Sequence, residues 1–214
     1  MKKEFDTCPA VIDEHQLYGF SWMEHVLAIP SPLVVVTTYK ANGMPNATMQ
    51  SWCTFAGEDG YHCIFASVHK GGHMYASLKD RGCCVVNFPS KDSFMRCMDT
   101  IKNNEFEQDE ITMSGLTCEL AGKVDAPRIK ECFLNLECKL EWERNLSPAG
   151  THATMCLKVI CVSMDEAHFN EESLGRYGES GYLYNIHSPR DPETGVVSET
   201  CVGVIEKYAT YDEL

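Results

Sequence analysis

The sequence lacks any concentration of positive charge. Its 18 lysines and arginines are outnumbered by 31 aspartates and glutamates, which gives a formal net charge of −13 at pH 7. No run of lysine or arginine is longer than two residues. Because nucleic acids and anionic membrane surfaces both require a concentrated basic patch, neither is an expected partner.

Long apolar runs are also absent. No stretch approaches the roughly 18 consecutive apolar residues that a membrane-spanning helix needs. The N-terminus has two lysines, Lys2 and Lys3, but no apolar segment follows them, so we expect no signal peptide. The 12 cysteines are then expected to be reduced thiols in the cytoplasm and not a disulfide framework.

Two ligand-binding signatures are missing. No cysteine pair has the C-x-x-C spacing of zinc or iron–sulfur ligands, so we expect no metal site; a protein binding metal through scattered Cys and His remains a remote alternative. Cys63, Cys83, Cys156 and Cys161 lie within apolar alternation, which favours a role as small hydrophobic residues. The Rossmann G-x-G-x-x-G is also absent, so no dedicated nicotinamide domain is expected.

The composition, with 44% hydrophobic and 23% charged residues over 214 positions, is that of an ordinary globular chain. Residues 33–39 form a β-branched run that predicts a strand buried on both faces or within a barrel. Asn42-Gly43 is a strong hairpin signal leading to a second strand at 46–54. A turn at 57–60 precedes a third strand at 61–67, so we expect these strands to form an antiparallel meander.

Further elements follow in order along the chain. Helices are predicted at 22–27, at 72–80, after Ser90 or Asp92, and weakly at 169–174; residues 103–110 form a polar loop. Strands are predicted at 83–88, 132–143 and 151–164, the last two forming a hairpin. The expected fold class is mainly β (α+β), an antiparallel β-barrel with a few helices. Residues 30–165 form this domain, with extensions at 1–29 and 166–214, the second packing on the barrel or a partner subunit.

Two segments rich in small polar residues stand out, at 45–54 and at 67–73. Both follow or end strand-like apolar runs, so we interpret them as two walls of one ligand site for a phosphate and a polar ring. Glycines at the start of a helix free backbone N–H groups, and Lys70 adds positive charge, which together are typical of an anion site.

Several motifs, in this order, resemble one known family. The first part is Pro32-Leu33-Val34-Val35-Val36-Thr37-Thr38, then Gly43-x-Pro45-Asn46-Ala47 and Ser51-Trp52. Ser67-x-x-Lys70, Val85-Val86-Asn87-Phe88-Pro89 and Gly150-Thr151-His152 follow. The chain thus resembles the flavin reductase-like family with the FMN-binding split barrel, and is most similar to flavoredoxins within it, over roughly residues 30–165.

The resemblance implies FMN held noncovalently at the interface of a homodimer. Residues 46–54 would line the isoalloxazine ring and ribityl chain, and residues 67–73 would meet the phosphate. His152 matches a family histidine near the flavin, where it would stabilise the reduced ring or contact a nicotinamide. The implied cofactor-binding residues are Asn46, Ala47, Thr48, Met49, Gln50, Ser51, Trp52, Cys53, Thr54, Ser67, His69, Lys70, His73 and Asn87.

Plainer interpretations of these residues stay open. Without the resemblance, Lys70 is explained as a solvated turn lysine, and Thr48, Ser51 and Thr54 as ordinary strand residues. Trp52 suits the core or a dimer interface, Cys53 a buried strand position, and His152 the surface beside a turn.

The function implied by the resemblance is that of an FMN-binding oxidoreductase. It would move electrons from NADH, NADPH or a protein donor through FMN to a flavin, a metal complex or a protein acceptor, so a redox protein is a possible partner. The alternative is an FMN-binding electron carrier or sensor with no NAD(P)H turnover.

Overall fold

The computed structural model describes residues 2–17, 19–169, 176–178 and 180–213. The helix predicted at 169–174 lies almost wholly outside the described residues. Within the described ranges, no helix is both long enough and apolar enough to cross a membrane.

Twelve strands and four α-helices make up the described chain. The strands are β1 (Ser31–Pro32), β2 (Val34–Tyr39), β3 (Pro45–Gln50), β4 (Cys53–Gly57), β5 (Tyr61–His69), β6 (Cys83–Pro89), β7 (Cys118–Leu120), β8 (Pro127–Ile129), β9 (Cys132–Asn145), β10 (His152–Met164), β11 (Leu183–Asn185) and β12 (Val202–Val204). The helices are α1 (Trp22–Leu27), α2 (His73–Arg81), α3 (Lys91–Asp99) and α4 (Glu110–Met113). Short 3-10 turns occur at Glu14–Leu17, Glu166–His168 and Tyr211–Glu213.

The central feature is a seven-stranded antiparallel sheet in the order β3-β2-β6-β9-β10-β5-β4. Its edge strands, β3 and β4, follow each other in the chain and are joined only by Ser51 and Trp52. Trp52 has the left-handed φ of 52°, and its carbonyl accepts a 2.9 Å hydrogen bond from the Ala66 N–H group. Because so short a link joins opposite edges, the sheet must curl until they meet, which produces a barrel.

This corner corrects two predictions. The single strand predicted at 46–54 is wrong, since the chain breaks at Ser51 and Trp52 into β3 and β4. The three-strand meander is wrong too, because β3 pairs with β2 while β4 pairs with β5 at the opposite edge. Polar and apolar residues alternate only as far as Gln50; two polar residues, Gln50-Ser51, and two apolar ones, Trp52-Cys53, then interrupt the pattern at the corner, although residue types do not reveal the positive φ at Trp52.

Most other predicted elements are confirmed. The β2–β3 hairpin turns at Gly43, whose φ of 83° suits glycine. Strands β9 and β10 form the predicted long hairpin, and α1, α2, α3 and β6 lie where expected. The fold class is the one predicted, a mainly antiparallel β structure with a few helices.

The barrel strands pack hydrophobic side chains on both faces. On β2, Val34 and Val36 join the barrel interior, while Val35 between them joins a second cluster formed with residues from α3, α4 and β8. All three valines are fully buried, as predicted for this run. The interior also contains Phe65, Leu78, Val86, Leu136, Met155 and Leu157. Each such side chain contributes roughly 1.5–3 kcal/mol by leaving water.

Asn87 on β6 organises polar groups within this packing. Its Nδ2 donates to the carbonyl oxygens of Val35 and Val85 and to Thr37 Oγ1, at 2.9 to 3.2 Å. Its Oδ1 accepts from the Ile129 N–H group and Asn135 Nδ2. The side chain is fully buried and its hydrogen-bonding capacity is used within the protein.

The chain divides into two compact units. One comprises Met1–Ser31 with Tyr184–Gly203, and the other comprises Pro32–Leu183 with Val204–Leu214. The second unit contains the whole seven-stranded sheet. The residues predicted as a C-terminal extension are therefore shared between both units.

Candidate functional site

The first wall of the predicted site is the free edge of β3. The Ala47 N–H group points away from β2, because it donates a 2.8 Å hydrogen bond to Glu110 Oε2. Alternate residues of an edge strand share this direction, so Met49 also presents its N–H and C=O groups at the edge. Thr48, Met49 and Gln50 are half-buried, and the Met49 side chain packs on the second cluster. The exposed edge therefore offers backbone groups rather than side chains.

The second wall is the start of α2. The first N–H groups of a helix have no intrahelical acceptor. The residue before the first turn, Gly72, offers no side chain that caps them. His69 and Gly72 form a tight turn just ahead of the helix, with the Gly72 N–H group donating to the His69 carbonyl at 3.2 Å. Nine residues of aligned peptide dipoles in α2 give this end a partial positive charge.

Glu110 holds the two walls together. Its Oε1 lies 2.8 Å from Lys40 Nζ and 3.4 Å from His73 Nδ1, while its Oε2 accepts from the Ala47 N–H group. The carboxylate is fully buried and Lys40 is 1% exposed. One buried anion thus fixes the edge of β3 and the first residue of α2 at the same place. The two segments predicted as one site are therefore neighbours.

Lys40 also fixes the chain that carries Glu110. Its Nζ donates to the carbonyl oxygens of Glu105 and Gln108, at 2.6 and 2.9 Å. Residues 103–110, predicted as a polar loop, thereby supply Glu110, the buried residue that contacts both walls. The only sequence signal was a hydrophobic pair, Ile111 and Leu116, which follows Glu110 and packs in the second cluster. A cavity of about 80 Å³ adjoins this point, lined by Lys40, Ala41, His73, Ala76, Ser77, Asp80 and Phe106.

Buried polar atoms without partners lie on β2 and β3 beside this contact. Thr38 and Asn46 are opposite each other in the β2–β3 register, and both are fully buried. Among the described residues, neither Thr38 Oγ1 nor Asn46 Oδ1 has a hydrogen-bond partner, although Asn46 Nδ2 donates to Thr48 Oγ1 at 3.1 Å. A buried acceptor that is left unpaired costs about 1–3 kcal/mol, so a ligand that pairs with it gains affinity.

Lys70 is half-buried and already engaged. Its Nζ donates to Asn145 Oδ1 at 2.5 Å and lies 4.0 Å from Glu143 Oε1. Hydrogen bonds from Lys79 and Tyr75 to Glu143 hold the pKa of that carboxyl below its usual range. Lys70 thus belongs to a charged cluster at the end of the β9–β10 hairpin, and it differs from the solvated turn lysine of the plainer interpretation.

His69 and His152 face each other across β5 and β10. Their ring centroids are 5.1 Å apart, and His152 Nδ1 lies 3.1 Å from Thr151 Oγ1. The Lys70 N–H group donates to the Thr151 carbonyl at 3.0 Å, so both histidines lie next to the turn that starts α2. The structure therefore brings His69, Lys70, His73 and His152 to one end of the barrel.

Of the remaining predicted residues, four lie on the strands and the corner around the two walls, and two are buried within the protein. Ser67 is half-buried on β5, Thr54 is exposed on β4, and Ser51 and Trp52 form the corner between the walls. Cys53 packs in the barrel interior beside Cys63. The hydrogen bond with Cys53 is the main cause that raises the pKa of the Cys63 thiol, and burial is the second. A thiol kept protonated in this way is a poor redox group. Asn87, with its bonds already made, suits a structural role.

Comparison with known proteins places the chain in a family. Residues 26–185 match the flavin reductase like domain, so the chain belongs to that family. An uncharacterised protein of Methanothermobacter thermautotrophicus (strain Delta H) is 27% identical over 112 residues. That match spans about half of each chain, at 52%.

Two solved structures share the fold. The flavoredoxin of Desulfovibrio vulgaris (Miyazaki F) aligns over 98% of this chain and 96% of its own, with a TM-score of 0.67 and 17% identity. A split-barrel protein of Shewanella frigidimarina NCIMB 400 aligns over 93% and 96%, with a TM-score of 0.70 and 13% identity. At these identities the likeness establishes the fold, and the resemblance to a split barrel noted in the sequence is confirmed.

The buried carboxylate gives a direct prediction. Replacing Glu110 by Gln leaves the Lys40 ammonium buried without a counterion, so we expect Glu110→Gln to lower the free energy of unfolding by about 3–5 kcal/mol. Urea denaturation measures this change. The double variant Lys40→Met with Glu110→Gln should lose less than the sum of the two single variants, because the two groups are coupled.

The matched control is an exposed ion pair of similar length. Lys102 Nζ lies 2.7 Å from Asp99 Oδ1 on the surface. Asp99→Asn should therefore lower the free energy of unfolding by less than about 1 kcal/mol. Equal effects of Asp99→Asn and Glu110→Gln would contradict the central place of Glu110.

Proposed function

We propose that this chain is an FMN-binding oxidoreductase, with the flavin held between the free edge of β3 and the start of α2. The observation that carries the proposal is the contact of Glu110 with both Ala47 and His73, which sets the two walls side by side. A flavin nucleotide needs a polar ring site and an anion site at a fixed separation, and the two walls supply one each.

The phosphate would lie at the start of α2. Free N–H groups and the positive end of the helix dipole favour an anion there, and Gly72 leaves room for close approach. Lys70 is the cation on the preceding turn, and its exchange from the neutral Asn145 amide to a phosphate oxygen would pair two opposite charges. His73, whose Nδ1 lies 3.4 Å from Glu110 Oε1, would lie beside the phosphate as the first residue of α2.

The ring system and ribityl chain would lie along β3. Backbone N–H and C=O groups at Met49 suit the polar edge of the isoalloxazine ring, and Thr48 offers a hydroxyl group. The unpaired Asn46 Oδ1 would accept a hydrogen bond from a ribityl hydroxyl group or ring N–H. Trp52 and Ser51 at the corner would bound the site, and His152 beside His69 would approach it from β10.

When bound, FMN supplies the two-electron chemistry, accepting a hydride or electrons and passing them on. The protein would bind and orient it and keep water from one face. No side chain of the site needs to act as an acid or base. We propose NADH or NADPH as the electron donor and a flavin, metal complex or redox protein as the acceptor.

Two further expectations belong to this proposal. The chain would be a homodimer with the flavin at the interface, supported by exposed apolar side chains on β10, where Ile160 is 39% and Val162 is 56% exposed. The location would be the cytoplasm, supported by the presence of all 12 cysteines as free thiols, which a reducing compartment maintains.

The phosphate contact is tested by Lys70→Ala. We expect this variant to weaken FMN binding, measured by quenching of flavin fluorescence, by about tenfold or more, because a charge-assisted bond contributes about 1.5–3 kcal/mol. Riboflavin, which has no phosphate, should bind the variant and the wild type alike. The control is Lys102→Ala, which removes an exposed lysine that pairs with Asp99. If Lys70→Ala lowered the affinity for FMN and for riboflavin equally, Lys70 would not contact the phosphate. If the wild type bound FAD more tightly than FMN, the cofactor would be FAD.

Turnover is tested by an anaerobic visible spectrum of the FMN-loaded protein, before and after addition of NADH and then NADPH. We expect the oxidised flavin band to bleach with one of the two nucleotides, which identifies the donor. A band that persists with both, yet bleaches with dithionite, would replace the reductase by an electron carrier or sensor. A folded protein that takes up no flavin would refute the proposed site.

The assembly is tested by light scattering of the FMN-loaded protein. We expect the mass of a dimer, and Val162→Glu should shift the population toward monomer because it buries a charge in an apolar contact. A wild-type chain that is monomeric while it holds FMN would contradict the placement of the site at an interface.

A further inference from the structure

Three potential metal ligands meet on the outer face of the barrel. His62 on β5, Glu141 on β9 and Cys156 on β10 present one ligand atom each, and these atoms all lie within 4.8 Å of one another. His62 Nε2 is 2.9 Å from Glu141 Oε2. The three strands are neighbours in the sheet, with β10 between the other two. Among the described residues, this is a group of mixed nitrogen, oxygen and sulfur donors away from both walls of the flavin site.

An irregularity of the sheet lies beside the carboxylate. In the β9–β10 register Cys156 is opposite Trp142, and Leu157 is opposite Leu140, so Glu141 is an extra residue in a β-bulge. Because Leu140 faces the interior, regular alternation already directs Glu141 outward, and the bulge keeps the next residue, Trp142, on the outer face opposite Cys156. Leu140 packs against the interior, whereas Glu141 lies with Trp142 beside a groove on the outside.

The surroundings suit a partly enclosed ion. The groove has a volume of about 450 Å³ and is lined by Ala56, Glu58, Asp59, His62, Ile64, Glu141, Trp142, Cys156 and Lys158. Cys156 is 4% exposed and the His62 side chain is 15% exposed, so two of the three donors are held by packing. Glu58 and Asp59 add negative charge at the rim. Lys158, with Nζ 3.9 Å from Glu141 Oε1, is the one opposing cation among the lining residues.

The donor set identifies the class of ion. Imidazole, carboxylate and thiolate are the ligands of zinc and of similar borderline divalent ions, whereas calcium and magnesium prefer oxygen alone. Donor atoms around tetrahedral zinc are about 3.3–3.8 Å apart, as follows from bond lengths of about 2.0–2.3 Å. Side-chain adjustments of about 1 Å bring the three atoms to that spacing, and the groove admits water at the fourth position.

We propose that His62, Glu141 and Cys156 form a binding site for a divalent transition metal of the zinc class, separate from the flavin site. Each ligand comes from a different strand, at chain separations that no short spacing motif describes. The expectation of no metal site rested on the absence of paired cysteines along the chain, and ligands brought together by a sheet escape that criterion. The thiol must lose its proton to bind a metal, so metal binding at this site releases a proton.

The test uses the full-length protein, freed of metal by chelation and titrated with Co²⁺ and with Zn²⁺. With Co²⁺ we expect a thiolate-to-cobalt charge-transfer absorption and the visible bands of tetrahedral cobalt, and Zn²⁺ should displace both at one equivalent per chain. Cys156→Ser should abolish the charge-transfer absorption. His62→Gln and Glu141→Gln should each weaken Zn²⁺ binding by at least the roughly 10–100-fold that loss of even an outer-shell partner costs.

Controls separate the site from other thiols and from misfolding. Cys161→Ser, on the same strand, should retain the full cobalt spectrum, and Lys158→Met should bind Zn²⁺ more tightly because it removes a nearby positive charge. Circular dichroism verifies that each variant keeps the barrel; should Cys156→Ser fail to fold, the exposed Glu141→Gln variant decides the question alone. Cobalt spectra without sulfur ligation, or Zn²⁺ affinity unchanged in Glu141→Gln and His62→Gln, would overturn the proposal.

Discussion

The buried ion pair between Glu110 and Lys40 is the interaction on which the proposed flavin site depends. A carboxylate without water must be matched by charge and hydrogen bonds, and here Lys40, His73 and the Ala47 N–H group provide them. Because these partners come from the end of the β2 hairpin strand, the start of α2 and the edge of β3, satisfying one anion fixes three elements at once. A helix start and a strand edge that would otherwise move independently are held at one separation.

The barrel supplies the second constraint. Only Ser51 and Trp52 connect the two edge strands of the seven-stranded sheet. The corner can therefore form only where the two edges meet and the barrel closes. The corner leaves Met49 on a sheet edge that no other strand of the described chain covers, whereas a regular meander would have paired this edge with β4. β3 pairs with β2, whose valines are buried in a hydrophobic cluster on each face of the sheet. This packing holds the backbone of β3 in place at the edge.

Much of this arrangement was predictable from local patterns. The β-branched run before Asn42-Gly43, the long alternation in β9 and β10 and the glycines before α2 each led to the observed element. Nonlocal pairing was not predictable, because the interrupted alternation at Gln50-Ser51 and Trp52-Cys53 marks an irregularity without showing that β4 pairs with β5 at the opposite edge of the sheet. Glu110 was missed because a sequence does not distinguish a buried carboxylate from a solvated one. Its counterion, Lys40, is distant in the chain and becomes a neighbour only in the fold. Asn87 illustrates the converse, since its position in a family motif indicated a ligand contact while its bonds bind β6 to β2 and β8.

The most direct test of the account is a crystal structure of the full chain with FMN. We expect the phosphate to lie against the N–H groups at the start of α2, with Lys70 turned from Asn145 toward it. The ring should lie along β3 near Met49, and the Glu110 contacts to Lys40 and His73 should be unchanged. A flavin bound elsewhere on the barrel, or a complex in which Glu110 no longer joins Ala47 to His73, would contradict it.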